Sequence, residues 1–317
     1  MLSTFVLSSK ANRQVYLVPR LVESHVEFDI SDAPPAGYKD PSKGLKRGVS
    51  GIFECMACAT VTTRNYISEQ ANAVGLGSVQ TAVVCETKGG RIYLPAMALT
   101  EPDLEEVDLS GLSVDLAANP RDVWCRNFGL KRPIDLFTPR QLYTLATYSK
   151  LVVEIRQEIY SDALSAGLSD EPNSLSEGGR GAAAYADAIC TYLGLAVSKM
   201  ADAQSSLCRW KATMDQSIAT FGRQALPMVW DYSEANAFGE MAGDYGVTLT
   251  NMLRALERLE GGLIGHAFQQ NAQTQLVSRG KVVSTDPPYY DNIGYSDLSD
   301  FLRLASQDTS RRSSGTV

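Results

Sequence analysis

The sequence predicts an α+β protein whose β-rich first part is followed by a helical one. Over residues 1–100, short β-branched and aromatic runs alternate with turn chemistry, and from about residue 101 apolar residues recur every 3.6 positions. Charge divides at the same place. Residues 1–100 hold 10 Lys and Arg against 8 Asp and Glu, a net +2, while the remainder holds 19 against 28, a net −9. The total of −7 therefore argues only weakly against a nucleic-acid partner, because the sum hides a local basic stretch.

A chain of 317 residues, 44% hydrophobic and 21% charged, can bury a core and has room for about two domains. Its 25 Gly, 13 Pro and 6 Cys exclude collagen-like and disulfide-scaffold classes, and its aliphatic content excludes disorder throughout. No apolar run reaches the roughly 20 residues of a membrane span. The one around Ala182–Ala196 is broken by Asp187, so no membrane partner is expected. A short apolar patch follows Met1 without a basic leader or a small-residue cleavage site, which predicts a cytoplasmic protein.

The elements follow in order. FVLSS, QVYLVPRLV and VEFDI read as strands, and PPAGYKDPSKGLKRG, with Lys39, Lys43, Lys46 and Arg47, as a solvated loop able to touch phosphates. SEQANAVGLG reads as a helix begun by its Ser and ended by its Gly pair. TAVVCET and RIYLPA form a hairpin across Lys88, Gly89 and Gly90. TEPDLEEVDLSGLSVDL reads as a short acidic helix capped by Thr100. Long helices are expected over 139–166, 182–214 and 247–270, each with a core-facing stripe such as Leu249, Met252, Leu253, Leu256 and Leu259. Residues 275–285 read as a strand entering a loop. No repeat of 20 to 50 residues is visible, which excludes solenoids and propellers.

Cys190 and Cys208 fall in helical patterns and read as small core residues. Cys55 and Cys58 form a CxxC, FECMACAT, whose spacing lets two thiolates converge on one tetrahedral zinc. Cys85 stands alone, so the pair reads as half of a site. His25 and His266 lie in apolar contexts, read as core residues, and support no Ser-His-Asp constellation.

The expected strand runs into VVSTDPPYYDNIGY, where Asp286, Pro287, Pro288 and Tyr289 spell DPPY. Four defined residues of this kind arise by chance in such a chain on the order of once in a thousand. DPPY after a strand resembles the catalytic motif of DNA methyltransferases that act on exocyclic amines, N6 of adenine or N4 of cytosine. The residue types suit that chemistry. An exocyclic amine is a poor nucleophile because its lone pair is delocalised into the ring. Asp286 and the Pro287 carbonyl can accept its hydrogens and draw the nitrogen towards sp³ geometry. Two prolines hold the backbone, Tyr289 offers a flat face to a flipped base, and Tyr290 and Asp291 can line the same pocket. Methylation at carbon 5 would use a Cys in a Pro-Cys pair, and none occurs.

The likeness extends further. FGRQALPMVWDYSEANAFGE (Phe221 to Glu240), LFTPRQLYTLATY (Leu136 to Tyr148), the CxxC with its RIYLPA hairpin, and DPPYYDNIGYSDLSDF together resemble the central region of the large prokaryotic adenine-specific DNA methylases, as far as about Phe301. Signatures of that family include a zinc ribbon and an N-terminal domain of unknown function. The resemblance implies S-adenosylmethionine as cofactor, DNA as partner, zinc at Cys55 and Cys58, and adenine N6 as target. Around Pro227, Arg223, Gln224, Trp230, Asp231 and Glu234 read either as part of the substrate cleft or as a structural network.

Three departures from the family's pattern stand out. No glycine-rich turn between a strand and a helix with an acidic partner is found: Gly75/Gly77, Gly89/Gly90 and Gly178/Gly179/Gly181 stand in other contexts. The second CxxC is missing, and after Leu302 the chain becomes the polar RLASQDTSRRSSGTV. The expectation is therefore a β-rich half ribbon (1–100), a helical insertion (101–273), the catalytic strand and DPPY loop of a Rossmann-like sheet (274–303) and a disordered tail (304–317). Such a chain reads as part of a larger enzyme, with the missing N-terminal portion as partner. The alternative is a non-catalytic fragment with a DNA-binding or scaffold role.

Overall fold

The computed structural model describes residues 1–23, 25–48, 51–105, 107–259, 270–287, 290 and 293–302. It is a mixed α+β structure of small antiparallel sheets and helices.

Strands β1 (Val6–Lys10), β2 (Arg13–Val22) and β3 (His25–Ser31) form an antiparallel meander at the three runs the sequence marks. Alternation turns Leu17 inward, where it meets Leu2 and Phe5. It turns Arg20 outward, to Glu27 at 2.9 Å and Asp29 at 2.8 Å on β3. Pro19 breaks no ladder: the pairing of β1 reaches only Tyr16, so the amide that Pro19 lacks would face an open edge. His25, expected in the core, is instead 60% exposed at the start of edge strand β3, with Nε2 3.3 Å from Glu27 Oε1. Its apolar neighbours in sequence alternate to the other face.

In the following loop, Gly44 (φ +53) is needed because a Cβ there would stand 2.7 Å from Leu2 O and Thr4 N. Lys43 pairs with Asp40 and Arg47 with Glu54. Strands β4 (Phe53–Glu54) and β5 (Val61–Thr62) close a hairpin around the CxxC. Helix α1 (Arg64–Val74) starts at Thr63, whose hydroxyl accepts from Tyr66 N, rather than at Ser68. It ends at Gly75 (φ +80). Strands β6 (Ala82–Thr87) and β7 (Gly90–Pro95) form the expected hairpin.

The acidic run 101–117 holds no α-helix among its described residues. Ser110 and Gly111 are poor helix formers, and only a 3₁₀ turn, Ser110–Leu112, appears, laying Leu112 and Leu116 on the main core. Helix α2 (Pro139–Glu154) opens on a capping box in which Thr138 N donates to Gln141 Oε1 (2.9 Å) and Gln141 N to Thr138 Oγ1 (3.2 Å). The single helix expected to 166 is two, because a turn at Ile155 (φ −66, ψ −17) separates α2 from α3 (Arg156–Ser165).

Helix α4 (Ala182–Ala203) packs an alanine-rich face on its neighbours and stops short of the expected Met214. Gln204 leaves the helical region (φ −121) and its buried amide donates to Ala235 O (2.9 Å) and Gly243 O (3.0 Å). The chain then forms a hairpin, β8 (Arg209–Lys211) with β9 (Gln216–Ile218). This hairpin docks on the first sheet: Ser9 N donates to Ala212 O (3.0 Å) and Trp210 Nε1 to Leu7 O (2.6 Å).

Helix α5 (Tyr245–Leu256) is capped by Asp244. Its apolar stripe is only partly covered, with Leu253 57% exposed. Residues 257–259 leave the helix the sequence predicts to 270, and 260–269, with His266, lies outside the described residues. A short helix, α6 (Tyr295–Ser299), and a 3₁₀ turn to Leu302 end the described chain, and the expected disordered tail at 304–317 also lies outside it. The main core joins Leu112, Leu136, Leu145, Val197, Met200 and Phe301, which brings the C-terminal end of the described chain under the helices. Among the described residues no helix is long and apolar enough to cross a membrane.

Candidate functional site

The strand expected over 275–285 does not form. Residues 281–287 run outside any sheet after a series of turns, and Val282 and Val283 are 102% and 59% exposed. A β-branched run without a neighbouring strand has no ladder for its amides, and the described residues supply no neighbour. Asp286 and Pro287 are exposed on this segment, and Tyr290 (φ +55) is 99% exposed. Pro288, Tyr289 and Asp291 lie outside the described residues. What is placed at Asp286 and Pro287 is one carboxylate and one tertiary-amide carbonyl open to an incoming donor.

Past Tyr290 the chain returns to the core. Leu298 and Phe301 are buried, and Phe301 stacks on Phe137 (5.2 Å, 30°) and meets Phe221 edge-on (5.2 Å, 86°). Polar contacts accompany them. Asn119 Nδ2 donates to Asp297 Oδ2 (2.9 Å) and to Asp122 Oδ2 (3.2 Å), and Gly294 N donates to the same Asp122 oxygen (3.4 Å). Asn119 Oδ1 accepts from Arg121 N and Asp122 N, both at 3.0 Å, the self-bonding typical of Asn in turns. The Arg121 guanidinium holds the buried Asp122 carboxyl below the usual range against the opposing effect of burial, with smaller help from Asn119 and the Gly294 amide. A cavity of about 520 Å³ opens here, lined by Ala117, Ala118, Asn119, Pro120, Arg121 and Asp297.

The polar and aromatic cluster around Pro227 divides. Trp230 wedges between Phe53 (5.2 Å) and Phe128 (4.9 Å), both edge-on. Asp231 accepts Ser3 N on both oxygens (2.8 and 3.0 Å) as well as the Ser3 hydroxyl, and burial raises its pKa. Glu234 receives Arg140 Nε and Nη2 at 2.7 and 2.8 Å. These three act as a structural network, whereas Arg223 and Gln224 remain at the surface.

Cys55 and Cys58 are both exposed on one tight turn, in which Cys55 N donates to Thr60 O and Ala59 N to Cys55 O, each at 2.9 Å, with Ala59 at φ +56. Cys58 Sγ lies 3.2 Å from Thr60 Oγ1; the Thr60 hydroxyl, then the Thr60 amide and Cys55, lower the pKa of the thiol. Cys85 is half-buried on β6. Among the described residues no three His, Cys, Asp or Glu side chains converge on a metal position, so the turn offers two ligands of a tetrahedral set. Cys190 and Cys208 are both buried as expected of small core residues, Cys190 on α4 but Cys208 beyond its end, outside the helix the sequence pattern predicts.

Among the described residues the glycine groups serve turns and close packing rather than a strand–turn–helix of the kind that would hold S-adenosylmethionine. Gly75 ends α1, Gly89 and Gly90 turn a hairpin, and Gly179 and Gly181 press on their own loop, where a Cβ would stand 2.1 Å from Asn173 O and 2.6 Å from Ser169 O respectively. Among the described residues no strand leads through a glycine turn into a helix. Sequence reasoning missed the Asn119–Asp122 turn, whose only local signal is Asn before Pro. It also missed Asp215, a fully buried carboxylate that Lys10 (3.0 Å) and Arg13 (2.8 Å) reach from the first sheet. No family model, curated protein or solved structure matches the chain.

Proposed function

We propose that the chain carries the amine-activating loop of an S-adenosylmethionine-dependent DNA amino-methyltransferase, with N6 of adenine as target. The single observation that carries this reading is DPPY at 286–289. The exposure of Asp286 and Pro287 supports it, because both acceptors are free to meet a base that arrives from outside. The Asp286 carboxylate and the Pro287 carbonyl each take a hydrogen bond from the amino group. This returns lone-pair density to the nitrogen, and neither group has to be a strong base. Tyr289 stacks the flipped base, Tyr290 and Asp291 border it, and Arg223 at the surface meets the DNA backbone. Trp230 serves this reading only as packing.

On this reading the exposed run Val282–Thr285, which pairs with no strand among the described residues, leads directly into the two acceptors. The CxxC turn is one half of a zinc ribbon on the same terms. That no strand leads through a glycine turn into a helix among the described residues favours a second reading, a DNA-positioning or scaffold role without turnover of its own.

One experiment separates them. The full chain is expressed in a host that lacks adenine methylation, and N6-methyladenine is mapped beside an Asp286→Ala variant. Methyladenine that disappears with the variant is expected; its absence with the parent chain, or its persistence in Asp286→Ala, refutes the methylation reading. DNA binding by the parent in a gel-shift assay without methylation would leave the scaffold role.

A further inference from the structure

We infer that Asn119 and Asp122 are positioning residues that fix the C-terminal root of the DPPY segment on the helical part of the molecule. The inference rests on the methyltransferase reading for its consequence in catalysis, and on geometry alone for the anchor itself.

Three observations converge. Asp122 is 7% exposed, and besides the neighbouring Arg121 guanidinium its carboxylate accepts from Asn119 Nδ2 on its own turn and from Gly294 N, which lies 172 residues along the chain. A buried carboxylate is costly unless donors surround it, so this cluster is held together by what it satisfies. Asn119 Nδ2 is shared between Asp122 Oδ2 and Asp297 Oδ2, and as the donor between two carboxylates it offsets their repulsion. Gly294 fits so closely that a Cβ would stand 2.9 Å from Asp297 Oδ2 and 3.0 Å from Asn119 Nδ2. Any side chain at 294 must open the contact. Leu298 and Phe301 complete the anchor by filling the main core immediately afterwards.

Asp286, itself exposed, opens the segment that reaches Gly294 eight residues on. With the far end of that segment free of any sheet among the described residues, the Asn119–Asp122 turn is what ties the loop to a rigid body. A catalytic carboxylate displaced by about 1 Å forfeits much of its effect, so a support this close in sequence to the acceptors governs turnover more than affinity.

The test uses the full chain. Asn119→Asp replaces the shared donor with a third carboxylate, and adding Asp297→Asn restores one donor–acceptor pair with the roles exchanged. Hydrogen–deuterium exchange of peptides covering 293–302 is expected to speed up about tenfold or more in Asn119→Asp, the scale of losing one charge-assisted hydrogen bond, and to recover in the double variant. Where Asn119→Asp fails to fold, Gly294→Ala makes the same intrusion from the other side and should accelerate the same peptides. Methylation kinetics give the second arm: kcat falls about tenfold or more with KM for DNA little changed, and the double variant recovers it. Unchanged exchange over 293–302, or a loss confined to KM and not rescued, overturns the inference. If the parent chain does not methylate DNA, the methyltransferase reading falls, and the exchange arm alone decides the anchor.

Discussion

Asp215 offers the sharpest quantitative test of how the two parts of the chain are joined. It sits at the tip of the β8–β9 hairpin with φ +53, fully buried, and Lys10 and Arg13 reach it from the ends of β1 and β2. Removing one partner of a buried ion pair costs about 3–5 kcal/mol, mostly because a charge is left unpaired in the interior. Here the two cations keep 39% and 32% of their side-chain surface exposed, so both can turn to water, and the lower end of that range applies. Asp215 Oδ1, Arg13 Nε and Tyr93 OH have no hydrogen-bond partner among the described residues, which trims the benefit further. Against this, alanine tolerates the left-handed backbone less well than aspartate, at a cost of up to about 1 kcal/mol. Asp215→Ala should therefore cost about 3 kcal/mol, and Asp215→Asn, which keeps shape and backbone preference, about half as much.

Urea unfolding followed by tryptophan fluorescence reads this directly, since Trp210 is on β8. The pH dependence supplies an independent check. Burial pushes the Asp215 carboxyl up, but hydrogen bonds with Ser8, Lys10 and Arg13 more than reverse it, so the folded pKa is depressed. A depressed carboxyl stabilises above the unfolded value of about 3.9 and loses that contribution as pH falls through the folded one. Wild-type stability should then fall more steeply below about pH 4 than that of Asp215→Asn. A cost under about 0.5 kcal/mol for both variants, the range of an ordinary surface substitution, would refute the clamp.

Further outcomes follow from other named contacts. Trp230→Ala, which empties the wedge between Phe53 and Phe128, should cost about 3 kcal/mol in the same urea assay. Asp231 behaves oppositely to Asp215: its folded pKa is raised by burial. Its contribution is complete below the unfolded pKa and is lost as pH rises through the folded one, so thermal melts should show Asp231→Asn gaining relative to wild type between acid and neutral pH. Thr138→Ala breaks the α2 capping box and should lower stability by about 1 kcal/mol. Among the cysteines, a thiol reagent at neutral pH should modify exposed Cys58, whose pKa is lowered, well before buried Cys125, whose thiol is pushed up to about 12; mass spectrometry showing the reverse order would contradict the assigned geometry.

How far the sequence foretells this structure depends on the range of the deciding interactions. The three N-terminal strands and the Lys88–Gly89 hairpin are legible because β-branched alternation and turn residues lie within a few positions of one another. The β8–β9 hairpin is not. Cys208, Ala212 and Asp215 continue a helical spacing from α4, and what ends the helix is the bond of Gln204 to carbonyls at Ala235 and Gly243, both far along the chain. His25 misleads for a related reason: its neighbours are apolar, but a period of two sends it to the outer face of an edge strand. The strand expected before Asp286 has the right residues but no partner among the described residues, which no local pattern can supply.

The same division runs through the candidate site. DPPY is legible as four letters. The Asn119–Asp122 turn that holds its root is invisible, because Asp122 and Gly294 are 172 residues apart and neither position is unusual on its own. If chemistry is written in short motifs while their support comes from contacts at long range, supporting residues should be sought wherever a buried polar group meets a closely fitted glycine near a motif. Here that search leads to Asn119 and Asp122 rather than to the polar cluster around Pro227, whose members Asp231 and Glu234 spend their bonds on Ser3 and Arg140.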